Sequence, residues 1–120
     1  MKKVLIVEDN QILAENFARI LARQFEVCSA ESASEAVAQI DRHQPDLIFL
    51  DILLKGHSAF ALLNELQSYA DTVKIPVVVC SNLSENLDES ALKNYGVVGI
   101  LDKSTARPRE ILEACQNATK

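Results

Sequence analysis

Tryptophan is absent from this chain of 120 residues, and the aromatic residues together make up only 5% of it. Few rings are available to stack on bases, and 17 acidic side chains outnumber 12 basic ones. A nucleic-acid-reading surface is therefore not expected. No apolar run is longer than a few residues, which excludes a bilayer-spanning segment and any membrane role through one. The opening Met1-Lys2-Lys3-Val4-Leu5-Ile6-Val7-Glu8 has too short an apolar part for a signal peptide, and acidic residues follow at once. Cysteine is scarce and odd in number. Cys28, Cys80 and Cys115 have no paired spacing, so they read as small buried hydrophobes in a reducing, cytoplasmic setting, not as disulfides or a zinc site. There is no linker, internal repeat or low-complexity tract. Nucleotide binding lacks support, since neither G-x-x-x-x-G-K-[ST] nor G-x-G-x-x-G occurs. What is present is a hydrophobic content of 48%, ordinary for a globular protein. Residues 1–120 are expected to form one domain with one core.

The most informative stretch is Pro45-Asp46-Leu47-Ile48-Phe49-Leu50-Asp51. Its apolar run reads as a strand buried on both faces, of the kind found in parallel sheets. Asp51 ends it, where ligand chemistry gathers in open α/β sheets. A lone Asp after a strand is more often a helix cap, so the ends of the other strands decide its meaning.

Four further strands are predicted. Val4 to Val7 precede Glu8-Asp9-Asn10, Phe25 to Cys28 alternate, Ile75 to Cys80 precede Ser81, and Val97 to Leu101 precede Asp102-Lys103-Ser104. Helical stripes separate them. Ile12, Leu13, Phe17, Ile20 and Leu21 follow Asn10 as a cap, and Ala33, Val37 and Ile40 follow a Ser32/Glu35 capping box. That second helix must stop before Pro45. Phe60, Leu63, Leu66 and Ala70 make a third stripe, and Leu87, Ala91, Leu92 and Tyr95 a weaker one ending near Gly96. Ile111, Leu112 and Cys115 belong to the last helix. This alternation predicts a parallel sheet with helices on both faces.

The polar residues then share one edge: Glu8, Asp9, Asp51, Ser81, Asn82 and Lys103. Three converging carboxylates repel one another unless a cation compensates. A hard divalent ion such as Mg²⁺ suits carboxylates, a backbone carbonyl and phosphate oxygens. A nucleophilic carboxylate, a metal, a lysine and a hydroxyl are the parts that form and hold an aspartyl phosphate.

With these residues in this order, the chain resembles the receiver domain of bacterial two-component response regulators over essentially its whole length. The motifs are Val4-Leu5-Ile6-Val7-Glu8-Asp9-Asn10, Pro45 to Asp51, Pro76-Val77-Val78-Val79-Cys80-Ser81 and Leu101-Asp102-Lys103. The resemblance implies a flavodoxin-like, doubly wound five-stranded sheet of order 2-1-3-4-5 with about five helices. It implies that Asp51 is the phosphoacceptor for a histidine kinase or histidine phosphotransfer protein. Glu8, Asp9, Asp51 and the Leu53 carbonyl would bind Mg²⁺, Ser81 would hydrogen-bond the phosphoryl group, and Lys103 would pair with it. Output would go to a downstream protein or to an output domain, and a homodimer is compatible.

Several positions depart from that family. Ile100 stands where an aromatic switch is usual, either packed or offering an apolar contact. Ser104 replaces the proline that follows a cis peptide, so the Lys103–Ser104 bond is either trans with a rearranged loop or cis at a cost of about 3–4 kcal/mol. Asn82 stands where a small residue is usual. Lys55 and Ala59 replace Pro and Gly in the loop after Asp51, where Gly56 would supply the backbone freedom. Leu53 and Leu83 flank the phosphate as apolar walls, and slow loss of phosphate is expected, because such walls disfavour an in-line water. Decay of the phospho-form within seconds would contradict this. His43 and His57 read as surface residues. Two other functions compete: a docking or dimerisation module built on a degenerate receiver, and a haloacid-dehalogenase-type phosphatase. The second lacks its required carboxylate, because that position is Leu53.

Overall fold

The computed structural model describes residues 1–51, 59–81 and 89–120. Strands and helices alternate throughout. The order is β1 (Lys3–Val7), α1 (Gln11–Leu21), β2 (Glu26–Ala30), α2 (Ala33–His43), β3 (Leu47–Asp51), α3 (Ala59–Gln67), β4 (Val77–Ser81), α4 (Glu89–Asn94), β5 (Val97–Asp102) and α5 (Pro108–Ala118). All strand pairs are parallel, and the sheet order is β2-β1-β3-β4-β5, as expected. Parallel order turns every strand's carboxyl end to the same edge, and this alone collects residues distant in sequence.

Side chains alternate across the pleat. Val4, Ile6, Leu47, Phe49, Val78 and Cys80 pack with Phe17, Ile20 and Leu21 of α1 and Ile111 and Cys115 of α5. Leu5, Val7, Ile48, Leu50, Val77 and Val79 pack with Ala36, Ile40, Leu62, Leu63 and Leu66 of α2 and α3, and with Leu92 of α4. Both faces of β1, β3 and β4 are thus covered, which is why those strands read as unbroken apolar runs.

The helix ends follow their sequence signals. Asn10 Oδ1 accepts from the Leu13 amide at 3.1 Å. Ser32 Oγ accepts from the Glu35 amide at 3.2 Å, but the Glu35 carboxylate reaches one residue further back than a capping box requires, to the Glu31 amide. Gln44, with φ of 48°, closes α2 just before Pro45. Gly96 has φ of 83°, and a Cβ built there would stand 3.0 Å from Gln67 Nε2. Gly96→Ala is expected to destabilise the fold by about 1–2 kcal/mol, read as a lower midpoint in urea with an unchanged slope.

Some expected placements are corrected. Ile12 is 79% exposed, one residue off the stripe of Leu13, Phe17, Ile20 and Leu21. Phe60 is 38% exposed and makes an edge-on contact with Tyr95 (ring centroids 6.2 Å), because α3 buries Ala59, Leu62, Leu63 and Leu66 instead. Ala70 lies beyond the end of α3. Cys28, on an edge strand, is only half-buried, whereas Cys80 and Cys115 are fully buried and all three thiols are free. Leu87 lies outside the described residues. No helix among those described is long and apolar enough to cross a membrane.

Candidate functional site

The carboxyl edge of the sheet brings together the side chains that the sequence placed after its strands. Glu8 and Asp9 follow β1, Asp51 and Ser81 end β3 and β4, and Lys103 follows β5. Glu8, Asp51 and Ser81 are buried, at 2%, 4% and 1% exposure. One carboxylate oxygen each from Glu8, Asp9 and Asp51 lies within 4.8 Å of the others. Lys103 Nζ sits between two of these acids, 3.0 Å from Asp51 Oδ2 and 2.9 Å from Glu8 Oε1. Glu8 Oε1 meets it as an ion pair without hydrogen-bond geometry. Ser81 Oγ is buried and has no hydrogen-bond partner among the described residues.

The electrostatics follow from this crowding. The Glu8 carboxyl is pushed up to about 7, first by burial and then by the Asp51 carboxylate beside it, while Lys103 pulls the other way. Burial alone would lower the Lys103 ammonium, but the adjacent Glu8 and Asp51 carboxylates outweigh that and raise it. One lysine faces three clustered acids, and the pocket suits a further cation. The donor set is all carboxylate oxygen, which suits a hard divalent ion. Glu8, Asp9 and Asp51 fit Mg²⁺ on these grounds. The remaining expected ligand, the Leu53 carbonyl, lies outside the described residues, as do Asn82, Leu83, Lys55, Gly56 and His57.

The loop after β5 settles one expectation. Among the described residues no peptide bond is cis, so the Lys103–Ser104 bond is trans. Lys103 nevertheless reaches Asp51. Its amide donates to the Ser81 carbonyl at 2.8 Å. Asp102 Oδ1 accepts from both the amide and the hydroxyl of Ser104, at 3.0 and 2.8 Å. Sequence reasoning assigned Asp102 and Ser104 no part in this. The signal was an Asp two residues before a Ser, a spacing that lets the acid side chain cap its own turn.

Other candidates lie away from the site. The His43 carbonyl accepts from Lys3 Nζ at the start of β1, the opposite edge of the sheet. Cys80 lies within the core beside Ser81, and burial pushes its thiol and that of Cys115 up to about 12. At neutral pH both are thiols, without the thiolate that redox or nucleophilic chemistry requires. Ile100 is half-buried against the cluster containing Leu92 and Val97, while neighbouring Val98 is 59% exposed.

A family model described as "Response regulator receiver domain" matches residues 4–116. Among curated proteins, the chain is 30% identical to the polar-differentiation response regulator DivK of Brucella ovis, covering 92% of this chain and 90% of that protein. It is 34% identical to protein-glutamate methylesterase/protein-glutamine glutaminase 3 of Geobacter metallireducens, covering 92% of this chain but only 32% of that protein. The chain thus spans about a third of the length of that relative. Among solved structures, the receiver domain of NtrX from Brucella abortus superposes with a TM-score of 0.84 at 27% identity, covering 97% of each chain. A CheY-like response regulator receiver domain from Methylobacillus flagellatus, at 24% identity and a TM-score of 0.85 over 98% of each chain, shares the fold.

Proposed function

This chain belongs to the response regulator receiver domain family, and on that premise we propose that it is a phosphorylation-dependent switch in which Asp51 accepts the phosphoryl group. The observation that carries the reading is the meeting of Asp51 with Lys103, at 3.0 Å, on the edge that also holds the buried hydroxyl of Ser81, which has no hydrogen-bond partner among the described residues.

A phosphohistidine of a histidine kinase or phosphotransfer protein, or a small acyl phosphate, is the donor. Its bond to phosphorus breaks as a carboxylate oxygen of Asp51 bonds to phosphorus, and the donor leaves with the electron pair. The attacking group is the Asp51 carboxylate, and the Lys103 ammonium stands 3.0 Å from its Oδ2. Glu8, Asp9 and Asp51 would hold Mg²⁺, which would supply charge neutralisation for the phosphoryl oxygens when bound. Lys103 compensates the same charge from β5. The Ser81 hydroxyl turns to the new phosphoryl oxygen. That movement reaches the outer surface through β4 and its neighbour β5, whose Ile100 packs against the core cluster that includes Leu92 of α4. The phospho-form is then one of two conformational states with different affinity for a partner or an output domain. The domain catalyses its own phosphorylation and dephosphorylation and turns over no external substrate.

Intact mass after incubation with acetyl phosphate tests this. A single phosphate adduct that needs Mg²⁺ is expected. A folded protein that gains no adduct with Mg²⁺ present would overturn the reading and leave a docking module.

A further inference from the structure

Lys103 leaves β5 into a loop that lacks the ring of a proline at the following residue, yet its ammonium meets two carboxylates. A lysine has four rotatable side-chain bonds, so such placement requires a fixed backbone direction. Two sets of hydrogen bonds supply it. On one side, the Lys103 amide is tied to the carbonyl of Ser81 at 2.8 Å. On the other, one oxygen of the Asp102 carboxylate holds both the amide and the hydroxyl of Ser104. The Asp102 carbonyl accepts from the Ala106 amide at 2.8 Å and completes the turn.

We infer that Asp102 is a positioning residue for Lys103: by holding Ser104 it fixes the direction in which Lys103 leaves the fifth strand and so keeps the ammonium on Asp51. Asp102 acts through the lysine and needs no contact with the phosphoryl group. Its acceptor oxygen carries the effect, so an amide in its place preserves it. The inference rests on the phosphoryl-transfer reading for its consequence, but the placement of Lys103 is measurable without phosphate.

The experiment uses the full chain and two readouts. One is the rate of adduct formation with acetyl phosphate and Mg²⁺. The other is the ¹⁵N-detected ammonium signal of Lys103 in the metal-free protein, which is sharp when the group is held. Asp102→Ala is expected to slow phosphorylation about tenfold or more and to broaden the ammonium signal. Asp102→Asn keeps both hydrogen bonds and stays close to wild type. In a Lys103→Met background, adding Asp102→Ala changes the rate little, because the residue it positions is gone. A rate loss that persists undiminished in that background, or a Lys103 signal unchanged by Asp102→Ala, overturns the proposal. Should Asp102→Ala fail to fold, Ser104→Ala removes one of the two bonds and is expected to give a smaller slowing with the same dependence on Lys103. If folded wild type takes no phosphate, the phosphoryl reading fails, and the ammonium signal alone decides whether Asp102 holds Lys103.

Discussion

Asp51→Asn is expected to abolish the phosphate adduct completely while making the metal-free protein more stable above neutral pH. The first effect follows because an amide oxygen is too weak a nucleophile for phosphorus and no other carboxylate replaces Asp51 at the end of β3. The second follows from Glu8. Its carboxyl is raised to about 7, and after burial the main causes are the hydrogen bond to Asp51 and the Asp51 charge. A group whose folded pKa is raised contributes stability below its unfolded value, and loses that contribution as pH rises through the folded value. In the wild type the contribution of Glu8 is therefore full below its ordinary value of 4.5 and fades as pH rises through about 7. An asparagine removes the Asp51 charge and donates to Glu8, so the Glu8 carboxyl falls back and the pH slope flattens. Urea unfolding of both proteins at pH 5 and pH 8, without metal, checks this. Equal slopes in the two proteins would show that Asp51 is not what loads Glu8.

Lys103→Met is expected to act in the opposite direction on stability and in the same direction on chemistry. The methionine fills similar volume but leaves Glu8 and Asp51 facing each other without the ammonium at 2.9 and 3.0 Å. Breaking a buried ion pair costs about 3–5 kcal/mol. The lower figure applies here, because Glu8 relieves the repulsion by taking a proton. The loss is thus largest above pH 7 and shrinks on acidification. The lysine's own contribution does not change over this range. Its pKa is raised, so its contribution is present throughout neutral pH and is lost only on the far alkaline side. Mg²⁺ is expected to recover part of the stability, since a divalent cation compensates the same carboxylates. Phosphorylation is expected to slow by about 10²–10³-fold, as for the loss of one preorganised electrostatic contact. A midpoint in urea that is unchanged at pH 8 would count against the ion pair's role. A normal rate of adduct formation would remove Lys103 from the chemistry.

The sequence by itself determined the fold class and the chemical parts of the site. Short apolar runs, each followed by a polar residue and alternating with helical stripes, read as strands of a parallel sheet covered on both faces. Parallel order places Glu8, Asp9, Asp51, Ser81 and Lys103 on one edge whatever the side-chain details. Helix registers were less legible. Ile12 and Phe60 are apolar and one position away from a buried stripe, and only packing against the sheet decides which side of α1 and α3 turns inward. Cys28 read as core because its residue type favours burial, and it is half-exposed because β2 is an edge strand. Ile100 could not be assigned from sequence to the core or the surface, and contact with the cluster around Leu92 places it between them.

Only the tertiary structure decided the state of the pocket. The raised pKa of Glu8 depends on distances among residues from three strands and on the water they exclude, and no local pattern encodes either. The loop after Lys103 shows the same division. Ser104 in place of proline left two backbone forms open, and the trans form became compatible with Lys103 on Asp51 once the Asp102 carboxylate held Ser104 and the Ser81 carbonyl held Lys103. Residue order names the groups that meet at a sheet edge. Their charge and direction come from long-range contacts, because electrostatic and hydrogen-bond energies depend on separation in space and not along the chain.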